Sequence, residues 1–464
     1  MSHADDVFRT SQMVPKGRLV SGHTKEFQTD PIGFLTRLSK EYGEVAKFRL
    51  GPFQTVYHVL NPDLIKQILV TKQQSFVKSK DFNLLKPLIG EGLLTSEKDF
   101  HMRQRRLIQP SFKKTHISQY AKDMIDITMD YISIWQHDDE RIITKDMMDI
   151  TLGIISKTMF SMEFKDGYEI VGKPLETALR ITVKRMRKIF RMQLWVPTKI
   201  NREYKKAIQR LDKVIYGIIE KRKNDTVKHE DMLGILMDAR DADDRLGMSS
   251  HQVRDELMTI FLAGHETTAN ALSWALYAIS KHPEIQVKLF NEVNSIIGQR
   301  TPKPEDFMKL QYTQNIIHET LRFYPPLYIL SRDVTEDVTI GGYRFKKGDM
   351  ILISSYVMQH NPEYFDQPES FIPERFENNF MKSLPAFAYF PFGGGPRVCI
   401  GNHFAMMEAV FVLACIAKRY RIKLAPDHHD VTPLPSLTLR PKNGLRMVLE
   451  ERAAEAFEPG ASNF

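Results

Sequence analysis

The run Phe390-Pro391-Phe392-Gly393-Gly394-Gly395-Pro396-Arg397-Val398-Cys399-Ile400-Gly401 concentrates residue types that could hold a reactive centre. Three successive glycines let the backbone come close to a flat ligand and turn its N–H groups toward one point, the Cys399 sulfur. A helical pattern from Asn402 to Arg419 then sets a helix N-terminus beside that sulfur. Such donors stabilise a thiolate and tune a metal that it binds. A lone cysteine would favour the alternative of a flexible glycine loop ending in an inert thiol, but the whole spacing Phe-x-x-Gly-x-Arg-x-Cys-x-Gly opposes it. Cys415, inside Val412-Leu413-Ala414-Cys415-Ile416-Ala417, reads as a small buried hydrophobe.

Three further groupings carry chemistry. Ala263-Gly264-His265-Glu266-Thr267-Thr268 places an acid beside two hydroxyls between apolar flanks, although taken alone a kink used for packing is the reading these residues favour. His101 and Arg105 share a helix face, and a solvated face is the alternative for His101. Glu319 and Arg322 sit three apart on one helix face before Pro325-Pro326 stops it, so they can pair.

The elements that must position these groups are mostly helical. Ser249, with Gln252 three residues on, has the form of a capping box, and the pattern then runs to His282, where Pro283 discourages continuation. That predicts a helix of roughly 30 residues, about 45 Å long. Gly264 and the threonines predict a local deformation at its centre. Pro31 to Tyr42 reads as a helix stopped by Gly43, and Asn61-Pro62 opens another. Val45–Leu50 and Thr55–Leu60 read as a hairpin around Gly51-Pro52. His116 to Asn224 reads as helical throughout. A second β region runs from Val338 to Phe345, turns at Lys346-Lys347-Gly348-Asp349 and resumes from Met350 to Ser354, and a hairpin is expected to turn at Asn443-Gly444. The expected fold class is mainly α with small β regions, as a single domain over residues 1–464 with an extended lead-in to about residue 30 and a frayed tail from about 451.

Composition limits the function classes. The sequence has 464 residues and a formal net charge of +8, with lysines and arginines spread along the chain and no nucleic-acid motif among them, so no nucleic-acid partner is expected. Two cysteines argue against a disulfide-held secreted protein and for a cytoplasmic one. No stretch approaches the ~18 apolar residues of a spanning helix, and Arg9 and its acidic neighbours interrupt the N-terminus, so a soluble chain without a transmembrane segment is expected. Lys184 to Trp195, basic with Phe190, Leu194 and Trp195, has the composition of an interfacial helix. A solvated helix face is preferred to peripheral membrane contact there.

The spacing around Cys399 resembles the haem-binding signature of cytochromes P450, and the resemblance covers nearly the whole chain. It implies the P450 fold, with the long central helix lying over haem b (iron protoporphyrin IX). It also implies a haem-thiolate monooxygenase that uses O2 and two electrons to hydroxylate or otherwise oxidise an apolar small molecule of the fatty acid, steroid or terpenoid class. Cys399 is then the metal ligand, and Phe392 packs near its sulfur. Arg397, His101, Arg105 and Arg332 are propionate candidates, although His101 stands where many members have Trp. Gly395, Gly401, Ala263 and Gly264 border the cofactor. Thr267 and Glu266 match the groove's hydroxyl and acid, and Arg375 in Phe371-Ile372-Pro373-Glu374-Arg375-Phe376 joins Glu319 and Arg322 in a structural network. A peroxide-driven member would be expected to lose the acid–Thr pair, which is intact, and a non-enzymatic haem sensor or carrier would be expected to carry an output module.

The resemblance further implies a ferredoxin or flavodoxin type electron donor with its reductase, docking near Arg103, Arg106, Lys113 and Lys114. Expected pocket walls are Phe82, Leu84, Leu85, Leu88, Phe261, Leu262, Leu327 to Leu330, Leu434 and Leu437.

Overall fold

The computed structural model describes residues 12–14, 17–163, 167–188, 191–227, 229, 231–241, 245–429 and 431–452. Arg9, Phe190 and the tail beyond 452 lie outside the described residues, as does the side chain of Lys114.

Helices dominate, and the longest spans Ser250–Lys281, 32 residues or roughly 48 Å. Its start is the expected capping box: Ser249 Oγ accepts from the Gln252 N–H, and the Gln252 side chain accepts from the Ser249 N–H. It ends at His282, after which Pro283 opens a new helix. This central helix is buried along most of its length, packing against Ile143–Phe160 and the cysteine helix, Asn402–Arg419. The expected deformation at Gly264 is absent. The helix continues through 263–268 while Thr267 Oγ1 donates to the Ala263 carbonyl at 2.7 Å and Thr268 Oγ1 to that of Gly264 at 3.3 Å. Close packing explains the glycine, since a Cβ there would lie 2.6 Å from Ile155.

Pro31–Tyr42 is helical, N-capped by Asp30 and ended by Gly43 at φ 71°. Val45–Leu50 and Gln54–Val59 pair as an antiparallel hairpin. They belong to a six-stranded sheet with the order Gln12–Met13, Val45–Leu50, Gln54–Val59, Met350–Ile353, Leu330–Val334, Phe76–Lys78. This sheet has its own apolar core, including Leu35, Val56, Ile65 and Ile351, beside the larger helical core.

Three expectations about β structure need correction. The stretch from His116 to Asn224 is not helical throughout, because Asp139–Ile142 forms a strand against Arg446–Glu451. Its partner lies three hundred residues on, beyond the reach of local periodicity. Asn443 and Gly444 do take positive φ (66° and 77°), as a tight turn requires. The flanking strands pair elsewhere, however: Leu439–Pro441 with Pro433–Pro435, and Arg446–Glu451 with Tyr420–Leu424 and Asp139–Ile142. Finally, Val338–Ile340 and Tyr343–Phe345 make a separate two-stranded hairpin, while Met350–Ile353 joins the large sheet.

Candidate active site

A cavity of about 920 Å³ lies between the central helix and the cysteine loop. Leu262, Ala263, Glu266 and Thr267 line it on the helix side, and Phe392, Gly393, Gly394, Arg397 and Cys399 on the other. Phe82, Leu94, Leu327, Ile329 and Leu437 extend the wall outward. The expected wall residues Leu85, Leu88 and Phe261 instead face the core, where Phe261 packs on Phe160 with ring centroids 4.6 Å apart. Leu84 stands outside the lining, and Leu434 lines a second cavity.

The cysteine loop is held by its own backbone. The Cys399 N–H donates to the Phe392 carbonyl at 2.9 Å, and the Gly393 N–H to that of Phe390 at 2.9 Å. Gly395 has φ +66°, and a Cβ there would meet the Leu69 carbonyl oxygen at 1.9 Å, so a larger residue could not seat the loop. Gly395 therefore packs against Leu69 rather than bordering the cavity, a position that Gly393 and Gly394 occupy. Gly401 caps the cysteine helix, and its N–H donates to the Cys399 sulfur. Gly264, turned against Ile155, likewise lies off the cavity.

Cys399 is accessible and lines the cavity. Burial pushes its thiol above the ordinary value, whereas the Gly401 N–H and the Arg105 guanidinium oppose the rise. A metal on the sulfur would decide the balance, since a coordinating thiol is deprotonated outright. Cys415 is fully buried among apolar neighbours and its thiol is pushed up to about 12.

Cations gather beside the cysteine loop. Arg105 donates to the Val398 carbonyl at 2.8 Å. His101 is buried rather than on a solvated face, and burial, with Arg397, Lys78 and Arg105 nearby, pushes it down to about 3, so its imidazole is neutral. Neither lines the cavity; Lys78, Arg332 and Arg397 do. Lys78 and Arg332 are direct cross-strand partners in an antiparallel pair, an arrangement of like charges that disfavours the sheet unless an anion joins them. Burial first, and then Arg397, pushes Arg332 down to about 10, while Lys78 falls well below the lysine range. Glu97 pairs with Arg397 but leaves Arg397 Nη1 buried and without a partner. Lys78, Arg332 and Arg397 against Glu97 leave a surplus of positive charge that suits a dianion, and a planar group bearing two carboxylates fits it. Reasoning from the sequence missed Lys78 and Glu97, whose positions beside Arg332 and Arg397 depend on strand pairing and loop placement.

On the helix side, Glu266 accepts a hydrogen bond from Thr438 Oγ1 at 2.6 Å. Thr267 lines the cavity, whereas Thr268 is buried and turned toward Glu408. Behind the loop, Arg322 Nε and Nη2 donate to Glu319 Oε2 and Oε1 at 2.7 and 2.8 Å, and Arg375 Nε lies 3.5 Å from Glu319 Oε2.

A helical fold with a cysteine thiol facing a large, mainly apolar cavity, across from an acid–hydroxyl pair and beside a cationic cluster, defines a haem-thiolate enzyme. The family model "Cytochrome P450" matches residues 14–447. The chain is 33% identical over 446 residues to cyclooctatin synthase of Streptomyces melanosporofaciens, covering 95% of each. It is 32% identical over 421 residues to cyclooctat-9-en-7-ol 5-monooxygenase of the same organism, covering 90% of each. It is 30% identical over 440 residues to pentalenene oxygenase of Streptomyces avermitilis, covering 93% of this chain and 96% of the relative. The chain belongs to the cytochrome P450 family. It is a haem b monooxygenase, an oxidoreductase that acts with O2, an apolar substrate and a redox partner. Among the described residues no helix is long and apolar enough to cross a membrane.

Proposed function

We propose that this enzyme hydroxylates a terpenoid, with Cys399 as the iron ligand and the propionates held by Lys78, Arg332 and Arg397, beside which His101 lies. The cavity carries this reading: Phe82, Leu94, Leu262, Leu327, Ile329 and Leu437 offer hydrocarbon surface around the space in front of Cys399. Relatives named for cyclooctatin and pentalenene support it over fatty acids and steroids.

Haem b, when bound, supplies the reductive activation of O2. The protein's part is positioning and proton control. Apolar walls orient the substrate and exclude bulk water. Thr267 Oγ1, anchored on the Ala263 carbonyl, holds water in the groove, and Glu266 supplies protons to that water. Arg105, bonded to the Val398 carbonyl, steadies the loop and lowers the cost of negative charge on the Cys399 sulfur.

Electrons are proposed to come from an acidic ferredoxin or flavodoxin type donor meeting the face near Arg103 and Lys113. Arg106 contributes less than the sequence implied, because it pairs with Asp241 at 3.2 Å. Arg103 donates to the Leu246 carbonyl at 3.2 Å, and Lys113 is exposed.

The substrate reading is tested by optical titration of the purified holoprotein with cyclic terpene hydrocarbons and alcohols, fatty acids and steroids. Turnover of the tightest binder under ¹⁸O-labelled O2 follows. Saturable spectral shifts with the terpenes and one labelled oxygen in the product are expected. Shifts confined to fatty acids or steroids would overturn the substrate class.

A further inference from the structure

Glu266 stands at a junction. A second cavity, about 490 Å³, opens on the other side of it and is lined by charged residues that include Lys145, Glu176, Arg180 and Arg440. Val183, Glu266, Ser436 and Leu437 are common to both walls, and of these four only Glu266 is ionisable. The carboxyl thus separates a cavity with charged residues in its wall, the more polar of the two, from the more apolar one in front of Cys399.

What holds it there is a segment distant in sequence. Glu266, Asn270 and Trp274 recur every four residues and form one stripe along the central helix. The hairpin of Pro433–Pro435 and Leu439–Pro441 docks on that stripe through its corner. Asn270 Nδ2 donates to Thr438 Oγ1 at 3.1 Å, Thr438 Oγ1 donates to Glu266 Oε1 at 2.6 Å, and Trp274 Nε1 donates to the Leu439 carbonyl at 3.0 Å. All four side chains are buried. Thr438 has one hydroxyl hydrogen, which goes to Glu266, and Asn270 supplies the bond to its oxygen. The chain therefore has one direction, and it requires Glu266 Oε1 to act as acceptor.

We infer that Thr438 is the positioning residue for Glu266, holding the carboxylate at the wall between the two cavities so that protons taken from the polar side are released on the Thr267 side. The inference rests on the proposed role of Glu266 as proton donor.

The test uses the holoenzyme as wild type, Thr438→Val, Thr438→Ser, Glu266→Gln, Trp274→Phe and the Thr438→Val/Glu266→Gln double variant. Infrared difference spectra of the resting proteins identify the Glu266 carboxylate band as the one lost in Glu266→Gln. Thr438→Val should shift that band, and Thr438→Ser should restore it. Product formed per electron should fall roughly three- to tenfold in Thr438→Val, recover in Thr438→Ser, and show no further fall in the double variant relative to Glu266→Gln. Trp274→Phe removes a neighbouring hydrogen bond of the same hairpin and should leave the band in place. An unshifted band in Thr438→Val, or additive losses in the double variant, would overturn the inference. So would a Trp274→Phe shift as large as that of Thr438→Val, since loosening of the hairpin would then account for it. Normal coupling in Glu266→Gln would instead remove the proton-donor reading itself, and the inference with it.

Discussion

Arg322 clasps both oxygens of Glu319, at 2.7 and 2.8 Å, with neither side chain exposed to solvent. The guanidinium is saturated elsewhere, donating to the carbonyls of Gln359, Pro368 and Ser370 at 2.9, 2.8 and 3.0 Å, while Glu319 Oε1 also accepts from the Ile372 N–H at 2.8 Å. The pair therefore ties the helix Gln311–Phe323 to the loops leading toward the cysteine. Removing one partner of a buried pair typically costs about 3–5 kcal/mol, because the other charge is left without compensation. Glu319→Gln should lower the denaturation midpoint accordingly and reduce haem content in the purified protein. Arg322→Lys should not rescue it, since an ammonium cannot reproduce five donors in a planar fork. Full haem occupancy and normal stability in Glu319→Gln would contradict this.

The two cysteines should behave oppositely. Cys399→Ser should abolish the thiolate-type optical band of the reduced carbon monoxide complex. Cys415→Ser, a change in the apolar interior of the cysteine helix, should leave that band intact at some cost in stability. Loss of the band in Cys415→Ser would reverse the ligand assignment.

Thr267→Ala removes the hydroxyl that faces the cavity while sparing Cys399 and the apolar walls. Haem binding and substrate-induced spectral shifts should survive, whereas more of the O2 consumed should leave as hydrogen peroxide. General acid–base assistance is worth ~100- to 10,000-fold, but water entering the enlarged groove offsets part of the loss. Thr268→Ala should be milder, because Thr268 is buried toward Glu408. Product and peroxide per electron donor consumed measure both variants, and a larger defect in Thr268→Ala would place the groove one residue out of register.

Stability should fall from acidic toward mildly alkaline pH at one identifiable site. Burial pushes the Glu256 carboxyl up to about 8, against the lowering effect of the Leu93 N–H that donates to its Oε2 at 2.9 Å. The folded protein thus holds this proton more tightly than the unfolded chain. The associated stability is fully present below the ordinary glutamate value of about 4.5 and is lost as pH rises through about 8. Glu256→Gln keeps the shape and the acceptor without the ionisation. It should be more stable than wild type at pH 8, by on the order of a few kcal/mol, with the difference shrinking toward pH 5. Denaturant titrations at several pH values read this directly, and parallel pH profiles for the two proteins would refute it.

Charge reversal on the proposed donor face should be visible in salt dependence. With Arg103→Glu and Lys113→Glu together, reduction by an acidic donor should slow and lose much of its sensitivity to ionic strength, because steering is screened over a Debye length of about 10 Å at 0.1 M. Stopped-flow reduction at several salt concentrations measures it, and wild-type behaviour in the double variant would move the docking face elsewhere.

Much of this protein was determined by short stretches of its sequence. The glycine loop places Cys399, the Ser249–Gln252 box starts the long helix, and the spacing of Glu319 and Arg322 makes their ion pair. Each follows from backbone geometry over a few residues, and such features are written locally. The tertiary structure decided what depends on which faces meet. Lys78 stands opposite Arg332 only because Phe76–Lys78 pairs with Leu330–Val334. Asp139–Ile142 is a strand only because Arg446–Glu451 reaches it, and the turn at Asn443-Gly444 joins strands that pair with other partners. Thr438 finds Glu266 across 172 residues of chain because the hairpin docks on one stripe of the central helix. Local periodicity indicates that a face is apolar or charged, but the partner of that face is selected by packing the whole chain at once.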